Sequence, residues 1–221
     1  MHAGEQRFLR AGASDFIHSP FIPEELKCRI DNNVETIRQL DALRRQAASD
    51  PLTGIANRRY FFEEGQRQLE NCRRLGRPGS AALLDIDFFK QVNDLHGHAA
   101  GDHVLAEVAR ILSRKAAAAG HLAARDGGEE FCLFLSDMDL PAAQAFCEEL
   151  RQSIEAMVIV HQGKLIKVTI SAGVCPIEPT MSFDTLLQQA DAYLYDAKRQ
   201  GRNCVISPLS ARVRPAAIAA A

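Results

Sequence analysis

The chain has 221 residues, of which 47% are hydrophobic, and a formal net charge of −2. That length can bury one proper core with something smaller attached, and the near-neutral charge excludes broad nucleic-acid binding, which needs a basic face. No signal peptide and no apolar run long enough to span a bilayer is visible in the sequence, so the segment in hand reads as cytoplasmic.

In chain order, Ala11-Gly12-Ala13-Ser14-Asp15-Phe16-Ile17-His18-Ser19-Pro20-Phe21 followed by Pro23-Glu24-Glu25-Leu26 resembles the last strand and last helix of a response-regulator receiver domain. The strands that would bring the phosphorylatable aspartate do not precede it, and Ser19 stands where such domains carry a lysine before the proline. Residues 1–24 are therefore expected to be a C-terminal receiver fragment that accepts no phosphate. An upstream histidine kinase enters only if a full receiver domain exists.

Residues 25–48 follow as a helical linker. Leu26, Ile30, Ile37, Leu40 and Ala47 form a heptad-like stripe interrupted by Asn33 and Arg44. At about three heptads it stands near the lower limit for a coiled coil. A locally packed helix and a pairing helix both fit this pattern.

The third segment, 49–206, carries the chemistry. Ser80 to Asp87 is a buried strand whose apolar run ends in two acids one residue apart, so period-two geometry points both carboxylates the same way. Phe88 to Asp94 is a short helix whose free amides would offer a phosphate cradle beside those acids. Gly97-His98-Ala99-Ala100-Gly101-Asp102 opens a helix with apolar periodicity through Val104, Leu105, Val108, Ile111 and Leu112. Leu122-Ala123-Ala124 and Phe131 to Leu135 are the arms of a hairpin, and Gly127-Gly128-Glu129-Glu130 is its tip. Glycines there permit positive φ and close approach of a ligand, and the adjacent carboxylates must be solvated, paired or metal-bound.

Asp139-Leu140-Pro141 caps a helix running to about Met157. Val158 to His161 and Leu165 to Val174 are strands around a turn at Gln162-Gly163, Ser182 to Arg199 is a helix, and Cys204-Val205-Ile206 is a last short strand. Residues 207–221, rich in alanine and proline, are expected to be a disordered tail. Six cysteines (Cys28, Cys72, Cys132, Cys147, Cys175 and Cys204) form no C-x-x-C pair, so buried reduced thiols are expected rather than a zinc site or disulfide framework.

Five motifs then occur in one order: Asp50-x-Leu52-Thr53-Gly54-x-x-Asn57-Arg58-Arg59, Asp85-x-Asp87-x-Phe89-Lys90-x-x-Asn93-Asp94, Gly97-His98-x-x-Gly101-Asp102, Gly127-Gly128-Glu129-Glu130-Phe131 and Lys198-x-x-Gly201-Arg202-Asn203. Over roughly residues 47–206 this series resembles the GGDEF family, the diguanylate cyclases. The strand and helix order implies an α/β or α+β sandwich, which the resemblance sharpens to a palm-like central sheet flanked by helices.

The resemblance implies condensation of two GTP molecules into cyclic di-GMP and two pyrophosphates, by attack of each 3′-hydroxyl on the other nucleotide's α-phosphate across a homodimer. It further implies Mg²⁺ or Mn²⁺ held by Asp85, Glu129 and the Ile86 carbonyl. Glu130 is a further candidate as ligand or base, and Asp87 a weaker one that could instead cap the next helix. Asn93 and Asp102 match the guanine-reading pair, since a carboxylate accepts from the N1 and N2 hydrogens of guanine. Phe88, Phe89, Lys90, Gly127, Gly128, Lys198 and Arg202 match positions near the substrate. His98 is expected to be structural.

Two departures stand out. Arg125 is followed by Asp126 where many members carry an aromatic residue, a charge that could bind metal, repel nucleotide or face water. The family's R-x-x-D product-inhibition motif is replaced by Ala118-Ala119-Gly120-His121, so no tight product site is expected there. The alternative function is a catalytically inactive GTP-binding sensor.

Overall fold

The computed structural model describes Pro20 and residues 22–212. The expected receiver-like strand, the core of the 1–24 fragment, lies outside the described residues, as do residues 213–221. The chain divides into two compact units, with the boundary between Ala47 and Ala48.

From Pro23 on, the described part of the first unit is one helix, α1 (Pro23–Ala48). It opens on proline, whose missing N–H costs nothing there, and carries Glu24 and Glu25 in the first turn, where the helix dipole favours negative charge. Glu25 pairs with Arg29 one turn on at 3.1 Å. Ile30 and Ile37 of the apolar stripe are exposed, as is Val34 between them.

The second unit contains β1 (Ala56–Asn57), α2 (Arg58–Leu75), β2 (Gly79–Ile86), α3 (Phe89–His96), α4 (His98–Ala118), β3 (Leu122–Gly127), β4 (Glu130–Ser136), α5 (Leu140–Glu155), β5 (Ile159–His161), β6 (Lys164–Ile166), β7 (Ile170–Pro176), α6 (Phe183–Arg199), β8 (Val205–Ile206) and α7 (Pro208–Arg212). Six strands form one mixed sheet in the order β1-β3-β4-β2-β7-β8, and β5 and β6 form a separate pair. Strands β3, β4, β2 and β7 run antiparallel in sequence across its middle, whereas β1 and β8 join its edges in parallel.

Alternation along the central strands explains why both faces of the sheet are covered. Ala82, Leu84 and Ile86 of β2, with Phe131, Leu133 and Leu135 of β4, pack into one buried cluster with residues of α3, α4 and α5. Ala81 of β2, with Cys132 and Phe134 of β4, packs into a second cluster with Phe61 and Leu69 of α2 and Phe183, Leu186 and Ala190 of α6. Each strand must then be apolar at successive residues, which is the continuous run seen in the sequence. Burying each Leu or Phe contributes about 2 kcal/mol.

Helix starts are fixed by side chains that accept from orphan amides: Asn57 from Tyr60 N (3.0 Å), Asp139 from Ala142 N (3.0 Å) and Ser182 from Thr185 N (3.1 Å). Each such cap contributes about 1 kcal/mol. Helix α2 is an element that the motif reading did not assign, although Phe61, Gly65, Leu69 and Cys72 mark its buried face at helical spacing.

Two boundaries differ from expectation. The single strand expected over Leu165–Val174 is split, because the segment between β6 and β7 leaves one sheet for the other, and Thr169 within it bonds back to Asp87. The tail expected from 207 begins with order: Ser207 is fully buried, donates to Gln144 at 2.5 Å, and is followed by α7. All six cysteines are free thiols; four are buried, Cys204 is partly buried and Cys28 is exposed. Burial pushes the Cys147 thiol up to about 12 and that of Cys175 to about 11. Among the described residues no helix is long and apolar enough to cross a membrane.

Candidate active site

Strand parity builds the centre of the site. Asp85 falls on the face that β2 turns toward α2 and α6, and α6 ends with Lys198 opposite it. The Lys198 ammonium donates to Asp85 Oδ2 at 2.7 Å. In the ladder Asp85 pairs with Glu130 of β4 on one side and Ser171 of β7 on the other. Asp85 is only 8% exposed. Burial raises its pKa above the ordinary value, and the negative charges of Glu129 and Asp87 push the same way against the opposing pull of Lys198. Glu130 is raised too, by burial first and then by Asp85, Asp126 and Glu129, with Lys198 opposing. One ammonium thus faces a group of carboxylates, and a further cation would relieve their mutual repulsion.

The hairpin tip is held by a clamp that local sequence signals do not reveal. Arg125 donates through Nε and Nη2 to the Gly128 carbonyl at 3.0 and 2.7 Å. Its Nη1 reaches both Asp50 oxygens at 3.2 and 3.3 Å. Asp50 also accepts from the Thr53 amide (2.8 Å) and hydroxyl (2.6 Å). Burial pushes the Asp50 carboxyl up, but Thr53 and Arg125 together hold it below its ordinary value. The Asp50 and Thr53 of the first motif therefore fix the tip of the fourth. The Ile86 amide donates to the Glu129 carbonyl at 3.3 Å, which places Glu129 beside the end of β2.

Asp126, whose role the sequence leaves open among three alternatives, is paired with Arg58 at 3.4 Å. Its charge is balanced from the start of α2. Gly128 has φ of 48°, a conformation that glycine adopts without strain and that the turn uses. Gly127 has ordinary φ, and a Cβ there would meet nothing within 4 Å, so the turn itself does not demand a second glycine.

Close packing of α3 on α4 brings the Asn93 side chain against Gly101, the residue before Asp102. A Cβ on Gly101 would lie 2.0 Å from Asn93 Oδ1, so the glycine lets the Asn93 amide sit where it does. Asp102 lies in the second turn of α4, whose cap is Gly97, so it is not a helix cap. Phe88 is exposed, has φ of 56°, and lies under the Arg202 guanidinium at 4.5 Å from the ring centre. Lys90 is exposed on the first turn of α3. The Phe89 side chain is buried in the core, which leaves only its backbone to a substrate. His98 is exposed at the first position of α4.

Asp87 does not cap α3, whose N-cap Phe88 makes no side-chain bond. Its carboxylate accepts instead from Ser171 Oγ (2.6 Å), Thr169 Oγ1 (2.7 Å) and the Asn203 amide (3.0 Å). Where the R-x-x-D motif would end, His121 packs edge-on against Phe146 at 5.2 Å, with neither ring nitrogen hydrogen-bonded. Among the described residues no three His, Cys, Asp or Glu side chains converge as a metal cage. Two carboxylates and a backbone carbonyl, completed by ligand oxygens, are hard donors suited to Mg²⁺ or Mn²⁺.

Comparison with known proteins agrees with this geometry. Residues 47–204 match the family model for the diguanylate cyclase GGDEF domain. The chain is 36% identical over 208 residues to the response regulator PleD of Caulobacter vibrioides, covering 90% of this chain and 46% of that protein. It is 38% identical over 185 residues to diguanylate cyclase A of Treponema denticola, covering 79% and 50%. The chain thus spans about half the length of these curated relatives. The solved coiled coil and GGDEF domain of DgcB from Caulobacter crescentus, a complex with c-di-GMP, superposes with a TM-score of 0.74 at 33% identity, covering 82% of this chain and 98% of that one.

Proposed function

The chain belongs to the GGDEF family, and on that premise we propose that it is a diguanylate cyclase that joins two GTP molecules into cyclic di-GMP with release of two pyrophosphates. The observation that carries the reading is the group of carboxylates on Asp85, Glu129 and Glu130, with Asp85 and Glu130 raised in pKa by burial and by the neighbouring negative charges, and with Lys198 as counter-charge. Such a group fits a divalent ion together with a phosphate better than it fits a core.

In this reading Asp85, Glu129 and the Ile86 carbonyl hold Mg²⁺ or Mn²⁺. The bound ion supplies charge neutralisation at the α-phosphate. Asn93 and Asp102 accept guanine hydrogens and favour GTP over ATP. Lys198 and Arg202 face the triphosphate, Lys90 approaches it from α3, and Gly127 leaves room for it at the hairpin tip. Glu130 stands opposite Asp85 as an additional ligand or proton acceptor. Arg125 and Asp50 keep the tip from moving, so that the charged groups are oriented before the substrate arrives.

Each domain binds one GTP in this scheme, and reciprocal attack requires two domains face to face. The exposed Ile30, Val34 and Ile37 of α1 support pairing through that helix. The alignment with PleD extends beyond residues 47–204, which supports reading 1–24 as the end of a receiver domain, 25–48 as its linker and 49–206 as the catalytic domain. The reaction is placed in the cytoplasm, where GTP is available. Ala118 to His121 offers no guanidinium, so tight cyclic di-GMP binding at that stretch is not expected.

The test is to incubate the protein with GTP and Mg²⁺ and separate the products by chromatography. Cyclic di-GMP should form at a specific rate that rises with enzyme concentration, and Asp85→Ala or Glu129→Ala should abolish it. Turnover that persists in either variant would sink the metal assignment. GTP binding without product would favour the inactive sensor.

A further inference from the structure

Three consecutive residues after α6 have positive φ: Gly201 (110°), Arg202 (64°) and Asn203 (48°). Two of them carry a Cβ, and a side-chain-bearing residue stays in this region only where its surroundings hold it there. The surroundings are specific. The Arg202 amide donates to the Ala197 carbonyl at 3.1 Å. Asn203 is held at three points: its amide donates to Asp87 Oδ2 at 3.0 Å, its Nδ2 donates to Glu155 Oε1 at 2.8 Å, and its Oδ1 accepts from Arg151 Nη1 at 2.6 Å. Arg151 is itself fixed by Glu148 and Glu155, each at 2.7 Å.

Asp87 anchors the other side of the loop. It is 4% exposed, and besides Asn203 it accepts from the hydroxyls of Ser171 and Thr169. Its own amide donates to the Thr169 carbonyl at 2.9 Å. This one carboxylate therefore joins the end of β2, the start of β7 and the loop that follows α6. The loop places the Arg202 guanidinium over Phe88, while the last turn of α6 places Lys198 against Asp85. A shift of the loop would move the arginine directly and the lysine through the end of the helix.

We propose that Asp87 and Asn203 are positioning residues for the triphosphate. They hold a strained loop so that Lys198 and Arg202 meet the phosphates in a fixed arrangement, and Asp87 is not a metal ligand. The proposal rests on the reading above that these two cations face a nucleoside triphosphate. Its chemistry is a division of labour at one strand end, with Asp85 meeting cations and Asp87 fixing the groups that meet anions.

Calorimetric binding of guanosine α,β-methylene triphosphate with Mg²⁺ tests it in the full chain. The variants are Asp87→Asn, Asn203→Gly and Arg202→Ala, and the two doubles with Arg202→Ala. Asn203→Gly keeps positive φ accessible and removes only the side-chain bonds, so it should fold. Asp87→Asn keeps the shape and removes the charge. Each is expected to weaken analogue binding roughly three- to tenfold, the range of one or two lost hydrogen bonds. Adding Arg202→Ala should then cost less than it does in wild type, because the arginine is already misplaced. The Mg²⁺ concentration for half-saturation should stay unchanged.

Wild-type affinity in both folded single variants, full additivity with Arg202→Ala, or a shifted Mg²⁺ requirement in Asp87→Asn would overturn the proposal. Calorimetry needs no turnover. A wild-type protein that binds the analogue yet makes no cyclic di-GMP would sink the cyclase reading alone, and the same variants would still decide this one.

Discussion

Asp85 and Asp87 leave the same strand end two residues apart, yet the fold surrounds them in opposite ways. Asp85 meets one partly exposed ammonium and faces other carboxylates, with its pKa raised by burial and by their charge. Asp87 meets two hydroxyls and a backbone amide, all on ordered chain, and no cation pairs with it among the described residues. The first environment is incomplete without a positive ligand; the second is complete as folded. Two acids of one motif thus divide into one that serves binding and one that serves geometry.

The strongest way to break that comparison is to truncate each acid and measure stability. Asp87→Ala leaves the fully buried Ser171 hydroxyl, the Thr169 hydroxyl and the Asn203 amide without an acceptor, which should cost on the order of 3 kcal/mol. Asp85→Ala leaves only the Lys198 ammonium, whose side chain is 31% exposed and can turn to water, and should cost less than about 1 kcal/mol. Urea midpoints at constant slope report both values. Equal losses would mean that Asp85 is as much a part of the fold as Asp87.

Titration sharpens the contrast by adding Asp50, a carboxylate held by its partners. The raised pKa of Asp85 means that its charged form is disfavoured in the folded protein without metal. Its contribution to stability is full below the unfolded pKa and is lost as pH rises through the higher folded one. Asp50 has a lowered pKa, so its contribution is present above the unfolded value and is lost as pH falls through the folded one. Without metal, Asp85→Asn should therefore be at least as stable as wild type at neutral pH, with any advantage closing on acidification above the ordinary carboxylate range. Asp50→Asn should be the less stable protein at neutral pH, by about 1–3 kcal/mol for a charge-assisted contact to Arg125, and its deficit should close only at lower pH. Melting curves across pH check both signs.

The same contrast explains what the sequence could reveal. The strand that leads into Asp85 and the hairpin between Leu122 and Leu135 were legible because alternation and turn chemistry act over neighbouring residues. Both buried faces of the sheet were visible as continuous apolar runs. The Asp50 to Arg125 clamp was not, since its partners are 75 residues apart and each looks like an ordinary turn or strand charge. Nor were the partners of Asp87, which come from 82, 84 and 116 residues away. The break between β6 and β7 was hidden because Lys167, Val168 and Thr169 continue the alternation of a strand. Arg58 opposite Asp126 was likewise a long-range pair, and without it the extra acid at the tip could only be left open among alternatives.

The finest division between binding and geometry lies inside the hairpin tip itself. Gly128, at φ of 48°, is there for the turn, and Gly128→Ala should cost about 1 kcal/mol of stability because an alanine in that region is strained. Gly127 has ordinary backbone angles and open space where a Cβ would be, so Gly127→Ala should change stability by less than about 0.5 kcal/mol. If that open space is where the nucleotide passes, Gly127→Ala should still raise the KM for GTP, because the added methyl occupies room that the fold leaves unfilled. A Gly127→Ala protein with unchanged stability and unchanged KM would show that the second glycine of the tip is idle in substrate binding. It would also move the triphosphate away from the tip toward Arg202 and Phe88.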